Sequence, residues 1–90
     1  MAPYEPPRDA HYTELDVSEY PDDFMWYAVG REGKNFYDIT TWLKLKYLWY
    51  DESRKVVEIW GPHQVLVDGA KNKIKNVINM YAQIKCANNN

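Results

Sequence analysis

The chain has one cysteine, four glycines and two histidines in ninety residues, and no long apolar run. Each scarcity excludes something. A lone Cys86 cannot form an internal disulfide, which points to a reducing compartment and an intracellular protein of the cytoplasm or nucleus. Cys86 adjoins the polar end Ala87-Asn88-Asn89-Asn90 and reads as an ordinary thiol near a terminus. No stretch reaches the ~20 apolar residues of a membrane span, so no membrane role is expected. The opening Met1-Ala2-Pro3-Tyr4-Glu5-Pro6-Pro7-Arg8 lacks the apolar centre of a signal peptide. His11 and His63 are far apart, and no Cys/His cluster has metal-ligand spacing, so neither metal nor cofactor is expected. Asp22-Asp23 is explained by a helix start, and no nucleophile or nucleotide-binding loop appears. Catalysis is not expected.

What the chain has is aromatic residues and a divided charge. Trp26, Trp42, Trp49 and Trp60 are spread through it, and 46% of residues are hydrophobic. Such a composition builds one small folded domain rather than a disordered segment. The net charge of −2 hides an asymmetry. Residues 1–30 hold seven acids against Arg8 alone, or −6; residues 31–90 hold ten bases against six acids, or +4. A modest positive face can therefore exist despite the acidic pI.

Along the chain, residues 1–10 are proline-rich and polar and read as a flexible arm. His11–Val17 suits a strand with Thr13, Leu15 and Val17 on one face. Pro21-Asp22-Asp23 opens a helix that runs to Val29 and stops at Gly30. Gly30-Arg31-Glu32-Gly33 then turns the backbone into a second helix, Lys34–Leu43, with Phe36, Ile39 and Leu43 on one side. Leu45–Tyr50 and Lys55–Trp60 form a hairpin around Asp51–Arg54. From about Gln64 to Ile84 a last helix carries Val67, Ala70, Ile74, Val77, Tyr81 and Ile84 as its apolar stripe. Residues 85–90 read as a flexible tail.

The order β-α-α-β-β-α, with a glycine loop between the first two helices, resembles the type I KH domain over residues 11–84. The matching residues are Val29-Gly30-Arg31-Glu32-Gly33-Lys34-Asn35-Phe36, Pro21 nine positions before the first glycine, Val57-Glu58-Ile59-Trp60-Gly61, and Val67, Ala70 and Ile74. Trp26 and Ala28 depart from the small residue and the bulky aliphatic usual there. The resemblance implies an α+β fold, a three-stranded antiparallel sheet packed on three helices. It also implies a groove for about four nucleotides of single-stranded RNA or DNA. Gly30 and Gly33 would admit the backbone, while Arg31 and Lys34 and the second helix's first amides would meet phosphates, with Glu32 as a negative charge among them. Ala28, Val29 and Phe36 would shape the floor. Lys46 or Leu48 would touch bases. A second reading is a KH-like interaction or homodimerisation module. If Val57 and Ile59 face the helices, Val56 and Trp60 face outward, along with some of Tyr47, Leu48, Trp49 and Tyr50. We take Tyr50, Val56 and Trp60 as the candidate interface. Its cover could be the arm, a second copy of the chain or a protein partner.

Overall fold

The structure is a computed structural model that describes the backbone of residues 4–88 and side chains through Lys85. The expectation for Cys86's thiol lies outside these described residues. The elements are β1 (His11–Asp16), α1 (Asp22–Val29), a short 3-10 turn (Arg31–Gly33), α2 (Lys34–Trp42), β2 (Tyr47–Asp51), β3 (Val56–Gly61) and α3 (Gln64–Asn88). The three strands form one antiparallel sheet in the order β1-β3-β2. This is the α+β arrangement the sequence implied.

β3 is the centre of the molecule. Its neighbours pair Leu15 with Val57 and Thr13 with Ile59 on one side, and Tyr50 with Val57 and Leu48 with Ile59 on the other. These residues share the face that meets the helices. Val57 and Ile59 are fully buried there, with Val67, Ala70, Ile74 and Ile78 of α3 and Met25 of α1. The alternate residues Tyr12, Glu14, Tyr47, Trp49, Val56, Glu58 and Trp60 lie on the outer face. Val56 and Trp60 are therefore outward, but Tyr50 is not. Its ring packs on the core and meets Trp26 edge-on at 5.5 Å. β2 is apolar on both faces, so alternation alone could not say which half turns inward.

Other boundaries moved for identifiable reasons. β2 begins at Tyr47, because Leu45 leaves the end of α2 and drops into the core after Lys44 takes a positive φ. The hairpin turn is held by Asp51, whose Oδ1 accepts from the backbone N–H groups of Ser53 (3.1 Å) and Arg54 (3.2 Å). α3 passes Ile84 and reaches Asn88, so residues 85–88 belong to the helix rather than to a tail. Lys85 anchors that end by an ion pair with Asp23 at 2.6 Å. Ile78 joins the buried stripe of α3, whereas Ile84 is 46% exposed. The first part of the supposed arm is also held: Tyr4 lies on the outer sheet face, within 4.9 Å of Trp49 by ring centroids.

Two outcomes follow from this packing. Ile74→Ala should cost about 2–5 kcal/mol in denaturant unfolding, the range for deleting a buried aliphatic side chain, while Ile84→Ala stays within about 0.5 kcal/mol. Equal costs would mean that α3 is not docked by this face. Acid supplies the second. Glu14 is held below its ordinary value by the Tyr12 hydroxyl and then by Arg54, Asp16 by Ser18, Asp23 by Lys85, and Asp51 by Ser53 and Arg54. Lowered carboxylates stabilise the fold above their unfolded pKa values and lose that contribution as pH falls through them. The melting temperature should hold from pH 7 to near pH 5 and decline below about pH 4.5. A flat profile down to pH 3 would contradict these contacts.

Candidate nucleic-acid interface

The junction of α1 and α2 is decided by one close approach. Gly30 has φ +85°, and a Cβ built on it would sit 2.7 Å from the backbone nitrogen of Asn35 and 2.8 Å from its Cγ. Only glycine satisfies both conditions. Asn35 completes the joint by donating from Nδ2 to the Tyr27 carbonyl at 3.0 Å, which occupies an acceptor at the open end of α1. The sequence reading missed Asn35, although an amide side chain just after a glycine turn is a recognisable helix-end partner. Within the loop, the Gly33 N–H donates to the Gly30 carbonyl at 3.0 Å. Glu32 and Gly33 follow each other in left-handed conformation, at φ 57° and 79°. Nothing lies within 4 Å of the position a Gly33 Cβ would take, so the loop is open on its outer side. No side chain caps the N-terminus of α2, and no acid lies in its first turn.

This loop, α1 and α2 face β2 across a groove of about 610 Å³. Of the expected residues, Val29, Glu32, Gly33, Phe36, Lys46 and Leu48 line it. Arg31 and Lys34 are exposed on the rim of the loop and form no ion pair among the described residues. Gly30 is engaged by Asn35 instead of lining the groove. Ala28 does not line it either: it is buried in the core, because its position on α1 turns it toward the sheet and α3. Lys46 extends from the start of β2, and its Nζ donates to the Asp9 carbonyl of the arm at 2.8 Å.

The groove also recruits residues that the sequence reading did not assign to it. Tyr37 and Thr40 line the α2 wall, Trp26 lies on the α1 side, and Tyr47, Trp49 and Tyr50 join Leu48 on the β2 wall. Tyr37 is 72% exposed where it lines the cleft. Helical spacing could have found Tyr37 and Thr40, which sit four and seven positions after Gly33. Opposite them, β2 is an edge strand of the sheet formed by the described residues.

This topology and the glycine junction define the type I KH fold. Among solved structures, the fourth type I KH domain of human Vigilin, determined in solution, matches with a TM-score of 0.65 and 16% sequence identity. The match covers 91% of this chain and 76% of that one. No family model and no curated protein matches the sequence. At this identity the likeness is one of fold.

The geometry separates the two glycines experimentally. Gly33→Ala meets open space and should cost only the strain of a positive φ, about 1–2 kcal/mol. Gly30→Ala adds a clash with backbone and should cost clearly more in denaturant unfolding. Equal losses would show that the junction is not tightly apposed at Gly30.

Proposed function

We propose that the chain binds single-stranded nucleic acid, RNA in the first instance, in the groove between the Gly30–Gly33 loop and β2. The observation that carries this reading is the exposed glycine bend set across the groove from the edge strand β2. The loop's outer side and the uncapped start of α2 present backbone N–H groups to an anion. Arg31 and Lys34 add charge beside them. The apolar floor of Val29, Phe36 and Leu48 suits base faces. The edge strand β2 places Leu48 and Tyr50 where base edges would lie. Tyr37 supplies a stacking surface, and stacking contributes roughly 1–3 kcal/mol per base.

The affinity of an isolated domain follows from the same inventory. Two or three phosphates at the loop give a slope of log K against log salt near −0.7 for each phosphate neutralised on a single strand. Binding should be micromolar or weaker and should fade with salt. Glu32 holds a negative charge at the point of phosphate entry, and Arg31 offsets it.

Fluorescence anisotropy with short single-stranded oligonucleotides of mixed sequence tests the assignment. Replacing Arg31→Asp and Glu32→Asp together should weaken binding at least tenfold without changing the melting temperature, since both side chains are exposed. Tyr37→Ala should weaken it about fivefold or more. Unchanged affinity in the loop variant would remove the groove as the binding site.

A further inference from the structure

The outer face of the sheet holds a second constellation that the groove does not explain. Glu58 lies at its centre and is only 5% exposed. A carboxylate at that depth needs donors. Among the described residues its donor is the Tyr4 hydroxyl, 2.6 Å from Oε1 and 3.1 Å from Oε2. One O–H shared between two oxygens leaves most of the carboxylate's acceptor capacity unused. The Tyr4 hydroxyl is held protonated by this contact, its pKa pushed up to about 12 chiefly by the bond to Glu58.

Three rings surround Tyr4. Its centroid lies 4.9 Å from Trp49, 6.1 Å from Trp60 and 6.2 Å from Tyr47. Tyr4 is therefore a plug in an aromatic cage with a carboxylate floor. The plug is lightly held. It is 47% exposed, and contacts of the arm nearby among the described residues include the Glu5 N–H to the Tyr47 hydroxyl at 3.0 Å and Lys46 to the Asp9 carbonyl.

Charge decides what else fits. Glu14, Asp16 and Asp51 share this face with Glu58. Arg54 pairs with Glu14 at 2.7 Å and Asp51 at 3.8 Å, so this cation is already engaged. An acidic face repels a phosphate-bearing ligand and attracts a cation. Aromatic rings at this spacing attract a cation through their π faces. A guanidinium adds two parallel N–H groups that match both oxygens of one carboxylate, and its plane stacks on indole. We propose that the outer sheet face is a docking site for an arginine side chain of a partner protein, which enters by displacing Tyr4. The site adjoins the nucleic-acid groove, whose lining includes Tyr47 and Trp49, whereas Glu58 and Trp60 lie outside that lining.

The test is an NMR titration of the full chain with N-acetyl-arginine amide, reading the indole N–H signal of Trp60, which lies outside the groove lining. The arginine probe should move this signal. Tyr4→Ala, which removes the plug, should tighten binding at least fivefold. Adding Glu58→Gln to that variant should weaken it at least tenfold. N-acetyl-lysine amide should bind more weakly, and guanosine monophosphate should leave the Trp60 signal in place. The proposal is overturned if the probe leaves the Trp60 indole of Tyr4→Ala unmoved, or if Glu58→Gln binds equally well. It is also overturned if guanosine monophosphate moves the Trp60 signal more strongly, which would make the face a nucleotide platform. Should the Glu58→Gln variant fail to fold, Tyr4→Phe decides. It keeps the ring but loses the donor, so arginine should bind it more tightly than the unaltered chain, and unchanged binding counts against the cage.

Discussion

The groove exists because α1 and α2 meet without a side chain between them. At Gly30 the space a Cβ would occupy is already taken by the backbone and side chain of Asn35. Asn35 uses that proximity to reach the Tyr27 carbonyl, so the end of one helix is closed by a residue of the next. The bend is thus fixed by sterics and a hydrogen bond before any ligand arrives. Preorganisation of this kind lowers the entropy lost on binding. It matters most where few contacts are available to a ligand.

The second constraint is the register of β3. Side chains alternate with a period of two, so pairing decides which residues of β2 reach the core. Val57 and Ile59 draw Leu48 and Tyr50 inward. Glu58 and Trp60 leave Tyr47 and Trp49 outside. A slip by one residue would exchange these sets and bury Trp49 where Tyr50 sits. β2 therefore lines one wall of the groove and supplies part of the cage with its outer face.

The sequence was most legible where a residue type has a narrow backbone role. Pro21 and the aspartates mark the start of α1, the glycines mark its end, and Asp51 with Ser53 marks the hairpin turn. The apolar stripe of α3 was readable for the same geometric reason, though both Val77 and Ile78 fit its width and the structure buries Ile78 more deeply. Legibility failed where neighbouring residues are equally apolar. Tyr47-Leu48-Trp49-Tyr50 offers no polar position to fix the inward face, and only pairing with Val57 and Ile59 resolves it. Ala28 was misplaced because its turn on α1 depends on how the helix sits against α3. Of the three covers weighed for the outer sheet face, the arm supplies Tyr4, and pattern alone could not show it because the contact is a long-range bond to Glu58.

The uneven charge along the chain acquires a spatial meaning from these contacts. Asp22 and Asp23 open α1 and take Lys55 and Lys85 as partners, and Glu14 takes Arg54. These three cations are engaged away from the loop, which leaves Arg31 and Lys34 at the loop to meet an anion. Glu14, Asp16, Asp51 and Glu58 gather on the opposite side of β2. The arm reaches both faces of this strand, since Tyr4 lies on the acidic outer face and the Asp9 carbonyl accepts from the ammonium of Lys46 beside the groove.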